Sequence, residues 1–342
     1  MSVPASSSSG RTPGLVSLAE LLDETDARLR AGEHVGASVW PTGFDPLDGH
    51  LGGGLRGGEL ALIGGPQGLG KTTMALQIVR NAVAAGRSAV VFSYEHDART
   101  LLERLLALEA GLVAGREAGT IAAIRAAFED RRSGPGRLEE RLAPVRGGVE
   151  GVAAQREFGQ RLHLHESSGT LTDVPAIRAV VAELLAQGEQ PLVLVDYLQK
   201  VAVPGNPHVE EERVTQVVEA LKDLALAADV PVIAIVAAEK AALVSGHRMR
   251  LHDLRGSSAL AYEADVALIL NGKYDVVARH HLMYDLTNAE RYKGWVVVTV
   301  EKNRAGLGDI VMEFEKRFQQ GRFEAKGRVV QEQLIEERVF VE

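Results

Sequence analysis

From residue 59 onward, short apolar, β-rich runs, several of them continuously apolar, alternate with longer stretches whose apolar residues return every three or four positions. The short runs are ELALIGG (59–65), SAVVFSYE (88–95), LHLHES (162–167), PLVLVDY (191–197), VPVIAIV (230–236), ADVALIL (264–270) and WVVVTVEK (295–302). A strand with one wet face alternates apolar and polar residues, whereas a continuous apolar run suits a strand covered on both faces, as in a parallel sheet. The helical spacing falls at 71–85, 98–110, 173–187 and 211–228, between those runs. Strand–helix alternation of this kind predicts an α/β fold: a mostly parallel central sheet flanked by helices, joined by right-handed crossovers. Residues 112–160 carry a weaker pattern with Gly, Arg and Glu clusters, and predict helices and mobile loops.

Ahead of this lies LVSLAELLDETDARLRAG, in which Leu15, Leu18, Leu21, Leu22 and Leu29 recur at roughly helical spacing and Gly32 suits a stop. It predicts an amphipathic helical arm over 14–33, either packed on its own domain or docked on a neighbouring subunit. Residues 1–13, rich in Ser, Pro and Gly, predict a disordered tail. The main domain is expected over 34–328, with a C-terminal extension at 329–342.

Composition narrows the chemistry. The 342 residues are 46% hydrophobic, ample for a buried core, and no segment reaches the ~20 apolar residues a membrane span needs. The absence of cysteine excludes disulfides, thiolate nucleophiles and cysteine-based zinc sites, and a cytoplasmic location is expected. A net charge of −8 argues against a basic coat for nucleic acid, leaving room for a local basic channel. His163 and His165 share a strand face, and His280 and His281 are adjacent, but neither pair brings a third ligand at metal spacing.

The most specific stretch is Gly65-Pro66-Gln67-Gly68-Leu69-Gly70-Lys71-Thr72-Thr73, which contains G-x-x-x-x-G-K-[ST] between a strand and a helix. Glycines allow backbone N–H groups to turn onto phosphate oxygens, and the next helix aims its positive end at the same point. Lys71 reaches the outer phosphates and the Thr72 hydroxyl ligates Mg²⁺. A nucleotide phosphate with Mg²⁺ is therefore the expected ligand. Asp196, ending an apolar strand, is the candidate second metal-side acid, since ligands collect at the carboxyl end of parallel strands. Glu95 ends another such strand. It is either the group that activates water or an acidic residue starting the following helix, where the dipole favours it.

Taken together, TGFDPLDGHLGGGLRGGELALIGGPQGLGKTTMALQIVRNAV, VVFSYEHDARTLLERLLALEAG, DYLQ (196–199), VTQVVEALKDLALAADVPVIAI, LHDLRGSSALAYEADVALIL and VEKNRAGLGDIVMEFEKRFQQGRFE resemble, in order and spacing, the ATPase domain of DnaB-type replicative helicases over about residues 40–325. The resemblance implies a RecA-like P-loop NTPase that takes ATP as its nucleotide and works as a homo-oligomeric ring, a hexamer in that family, on single-stranded DNA during replication. It implies that Glu95 is the catalytic base, that Asp196 holds the metal through solvent, and that Lys302 and Arg304 enter the neighbouring subunit's site. It implies that Arg255, with Gly256 and Ser258 in the same loop, grips the DNA backbone, the loop at 201–213 being the other candidate pore element. No loader or primase partner is named by these residues.

Four departures from the family pattern stand out. Val236 and Ala237 replace a Ser-Gln pair whose Gln senses the γ-phosphate. The loop usually written Arg-Glu-Ser-Gly reads Arg255-Gly256-Ser257-Ser258. No counterpart of the family's N-terminal, primase-contacting domain is expected ahead of the arm. Residues 273–293 form a longer, more basic excursion, read either as a solvated loop or as a DNA or partner contact. Ala237 keeps a second class of function open: an ATP-binding oligomeric regulatory or assembly module, RecA- or KaiC-like, that does not unwind.

Overall fold

The computed structural model describes residues 15–33, 35–132, 134–205, 209–240, 247–278, 280–283 and 286–335. The tail expected at 1–13, positions 206–208 of the 201–213 loop and the stretch 336–342 of the C-terminal extension lie outside the described residues.

The arm begins with Leu18–Arg30 (α1). Ser17 caps it: its hydroxyl accepts from the Glu20 N–H at 3.2 Å while the Glu20 carboxylate accepts from the Ser17 N–H at 2.9 Å, a reciprocal arrangement that satisfies two otherwise orphaned donors. None of its residues is buried, and Leu18, Leu21, Leu22 and Leu29 face outward. Val39–Trp40 (β1) then pairs antiparallel with Leu55–Arg56 (β2) around Asp45–His50 (α2). Asp48 explains the lead-in motif, since its carboxylate accepts from the Thr42 N–H, the Gly43 N–H and the Thr42 hydroxyl at 2.8, 2.8 and 2.6 Å.

The central sheet follows. Leu60–Gly64 (β3) leads into Lys71–Ala84 (α3), and Ser88–Ser93 (β4) into Ala98–Ala114 (α4). Ile121–Glu129 (α5), Leu138–Leu142 (α6) and Gly148–Phe158 (α7) come next, before Leu162–Glu166 (β5), Val174–Ala186 (α8) and Pro191–Asp196 (β6). Glu210–Ala228 (α9), Val232–Ile235 (β7), Ala259–Glu263 (α10) and Val266–Gly272 (β8) complete the parallel part, in the order β8-β3-β7-β6-β4-β5. Ala61 and Ile63 of β3 point into one core with α3, while Leu60 and Leu62 point into the other with α8 and α9. Both faces are covered, which is why the strands read as continuous apolar runs.

The stretch expected to hold helices and mobile loops carries α5, α6 and α7. These gather a third cluster against α4, with Leu106, Ile124, Leu142 and Val152 buried in it. The excursion after β8 holds three short helices, Lys273–Val276 (α11), His280–Met283 (α12) and Leu286–Lys293 (α13). The sheet then extends antiparallel through Trp295–Asn303 (β9), Ile310–Arg317 (β10) and Arg322–Phe323 (β11), and Arg328–Val329 (β12) pairs with β10. The excursion is not simply solvated. Lys273 is 1% exposed and pairs with buried Glu313 of β10 and, at 2.8 Å, with Glu332. Backbone bonds from the Ala278 N–H to the Gln333 carbonyl (2.8 Å) and from the Ile335 N–H to the Val276 carbonyl (2.9 Å) tie residues 333–335 to it.

Candidate nucleotide site and nucleic-acid loop

The phosphate loop leaves β3 at its carboxyl end, where two glycines have no substitute. Gly65 sits at φ +146°, and a Cβ there would stand 2.6 Å from the Leu270 carbonyl oxygen. Gly70 sits at φ +86° with the Phe318 ring 2.6 Å from where its Cβ would be. Lys71 folds back so that Nζ donates to the Gly65 and Pro66 carbonyls at 2.7 and 3.0 Å. Burial lowers its pKa, opposed by the negative charges of Asp196 and Glu95.

Asp196 lies two strands from β3, across β7, and is 3% exposed. The Thr72 hydroxyl donates to its Oδ2 at 2.9 Å, so the two oxygens named for a metal stand together. Burial pushes the Asp196 carboxyl up to about 6. Glu95 adds to the rise, while the Thr72 hydrogen bond, Lys71 and Arg104 oppose it. Among the described residues no group of three His, Asp or Glu could cage a metal. The oxygens of Thr72 and Asp196 fit Mg²⁺, which keeps waters and phosphate oxygens as its other ligands. Glu95 is exposed just past β4, beside β6. The turn that presents it is pinned by the Ser93 hydroxyl, which donates to the His96 carbonyl at 2.7 Å and accepts from the His96 N–H at 3.0 Å. Asp97 caps α4 through the Thr100 N–H at 2.7 Å.

Lys302 and Arg304 are not brought to this loop. Because β9 runs antiparallel to β8, Lys302 lies opposite Ala267 at the start of β8, whereas the phosphate loop departs where Gly64 pairs with Ile269. The two cations stand toward the amino end of the parallel strands. There Lys302 Nζ donates to the Ala261 and Tyr262 carbonyls at 2.7 and 3.1 Å, and Arg304 donates to the Tyr262 carbonyl and lies 3.4 Å from Asp265. They cap the carbonyl end of α10, a favourable place for positive charge.

The predicted DNA loop packs against the first turns of α9. Arg255 pairs with Glu210 at 2.6 Å, both half-exposed. Gly256 has φ +124°, and a Cβ there would fall 2.4 Å from the Val214 side chain. Close approach to α9 therefore accounts for a glycine where the family pattern has a glutamate. The Ser257 and Thr215 hydroxyls bond at 2.7 Å, and Ser258 precedes α10 without capping it through its side chain.

Two neighbours of the site were not singled out from sequence. Arg104, half-buried on α4, contributes positive charge at Asp196. Gln199, quoted only as part of DYLQ, bonds both to the end of β7 and to the Arg255 loop. A polar residue three positions past the strand-ending acid was a signal, but its partners are distant in sequence. The histidines make separate contacts: His163 with Glu189 at 2.9 Å and His165 with the Ser167 hydroxyl at 2.9 Å.

The family model described as "DnaB-like helicase C terminal domain" matches residues 40–129 and 150–324, leaving out the segment that carries α6. The chain belongs to this family. Among curated DnaB replicative DNA helicases, that of Rhodothermus marinus is 32% identical over 267 residues, 74% of this chain and 25% of the relative. Those of Treponema pallidum and Haemophilus influenzae are 28% and 27% identical, over 67% and 88% of this chain and 47% and 58% of theirs. The chain thus spans a quarter to under three-fifths of the length of these relatives. Among solved structures, one described as an ATPase domain superposes with a TM-score of 0.69 at 22% identity, covering 90% of this chain and 98% of that one. A DnaB-like replicative helicase studied with its primase interactions gives 0.67 at 21%, covering 91% and 67%. The mostly parallel, helix-flanked sheet is therefore that of DnaB-like ATPase domains, as the sequence resemblance implied.

Proposed function

We propose that this chain is an ATP-driven motor that moves on single-stranded DNA as a ring of identical subunits, with ATP hydrolysed between neighbours. The observation that carries the proposal is the division of the site. Lys71, Thr72, Asp196 and Glu95 gather at the carboxyl end of the sheet, while Lys302 and Arg304 stand toward its amino end. A single copy has a phosphate cradle without those two cations, and stacking a second copy against it would supply them.

In this reading the loop N–H groups and Lys71 hold the triphosphate, and Lys71 exchanges its two carbonyl partners for phosphate oxygens. Thr72 and Asp196 would hold Mg²⁺, which would supply charge neutralisation at the phosphates. Glu95 orients and deprotonates the attacking water. Arg304, with Lys302 beside it, stabilises charge on the transferring phosphoryl group from the adjacent subunit. Arg255 takes one phosphate of the strand per subunit, and repetition around a pore allows an acidic protein to grip DNA. The exposed leucines of α1 offer a docking stripe between copies. The test is ATP turnover against protein concentration, with and without single-stranded DNA. Turnover should rise with association and with DNA, and a dilute monomer at full speed would overturn the proposal. The second reading, an assembly module that binds ATP without unwinding, is favoured by Ala237, and strand displacement by the purified chain would eliminate it.

A further inference from the structure

The segment after β7 and the segment before α10 run antiparallel. The Glu239 N–H donates to the Asp253 carbonyl at 2.8 Å, Ala238 and Leu254 form a bridge, and the Arg255 N–H donates to the Ala237 carbonyl at 2.9 Å. In an ordinary antiparallel pair the Ala237 N–H would return a bond to the Arg255 carbonyl. Here the side-chain amide of Gln199 stands in that rung. Its Oε1 accepts from the Ala237 N–H at 3.2 Å and its Nε2 donates to the Arg255 carbonyl at 2.8 Å. The two backbone partners, one a donor and one an acceptor, leave a single chemically sensible orientation for the amide.

Gln199 is also three residues past Asp196, on the short helical turn that continues β6. We propose that Gln199 is a positioning residue that couples the nucleotide site to the DNA loop, transmitting movement at Asp196 to the backbone of Arg255 in a protein whose residue 237 has no side chain able to do so. A shift of the β6 end moves one amide, and that amide holds both the Ala237 rung just past β7 and the carbonyl beside the DNA-gripping guanidinium. The loop is held tightly enough to respond as a unit, because Gly256 lies against Val214, Ser257 bonds Thr215 and Arg255 pairs with Glu210. Two-site coupling of this kind is a matter of one bistable contact biased from both ends.

The inference rests on the proposed DNA-motor reading, and the experiment separates the two. Single-stranded DNA affinity of the full chain is measured with a non-hydrolysable ATP analogue and with ADP, in wild type, Gln199→Glu and Gln199→Met. Glu keeps the acceptor for the Ala237 N–H and loses the donor to Arg255; Met loses both without adding charge. Wild type should bind DNA about fivefold or more differently in the two nucleotide states, and both variants should bring that ratio close to one. Nucleotide affinity and DNA-free turnover should stay within about threefold of wild type, a pattern that a general loss of structure would not give. Variants that keep the wild-type ratio overturn the role of Gln199 alone. Wild type that binds no DNA in either state overturns the motor reading and this inference with it.

Discussion

Asp196 is the residue at which acidity should control the site. Its carboxyl stands at about 6 rather than the ordinary 3.8, chiefly through burial. A raised carboxyl pKa means that the folded protein binds a proton the unfolded chain releases. The ionised group therefore costs stability above pH ~6, and that cost is gone below the unfolded value. If Asp196 holds Mg²⁺ as proposed, binding it below pH ~6 would expel a proton. Apparent Mg²⁺ affinity in the presence of ATP should fall by about tenfold per pH unit from there downward. A Mg²⁺ titration between pH 5 and 8 measures it, and Asp196→Asn should bind weakly and keep only the pH dependence of ATP's own terminal phosphate. The phosphate loop, Asp196 and Glu95 could be located from sequence because each closes an apolar run at the strand end where ligands collect. Gly256 could not be explained that way. Its φ of +124° and its approach to Val214 are tertiary facts, and Gly256→Ala should cost about 1–3 kcal/mol of loop strain, read as weakened DNA binding with nucleotide binding retained.

At the scale of elements, the parallel strands were legible wherever both faces are covered, and the excursion was not. Lys273 looked like one more basic residue in a basic stretch, because nothing local announces that Glu313, forty positions on, is fully buried beside it. Arg328 also reaches Glu313 at 2.5 Å, and Lys273 lies 4.4 Å from the centre of the Tyr292 ring. The cluster joins α11, α13, β10 and the chain beyond β12. Removing Lys273 leaves buried Glu313 with Arg328 as its remaining cation, so Lys273→Ala should destabilise, by less than the about 3–5 kcal/mol of a fully stranded charge. Lys273→Met combined with Glu313→Leu should cost much less, and paired denaturant titrations of the two proteins would distinguish them. The arm makes the opposite case. Its helix was readable from the leucine spacing and Gly32, and its leucines are exposed. Leu18→Ser with Leu22→Ser should therefore leave the melting temperature within a degree or two, while lowering the mass seen in solution if the stripe joins subunits.

For the whole molecule, the property to test is the proposed sharing of each site between two copies. Lys302 and Arg304 could be named from sequence only by resemblance, since two cations after an apolar strand are ordinarily solvated; the antiparallel course of β9 gives the physical reason they sit away from their own phosphate loop. Arg304→Ala should accordingly bind nucleotide normally and lose turnover by about 10³-fold or more, whereas Lys71→Ala should lose binding and turnover together. The stronger experiment mixes the two inactive proteins. A Lys71→Ala subunit has a spoiled loop and an intact Arg304, and an Arg304→Ala subunit the reverse. If sites form between copies, an interface that joins the good loop of one to the good cation of the other is wild type in composition. Random assembly of an equal mixture makes about one interface in four of that kind. Turnover should then reappear on mixing, up to about a quarter of the wild-type rate, and should grow with the time allowed for subunits to exchange. If each subunit carried a complete site of its own, no proportion of the two variants would recover any activity.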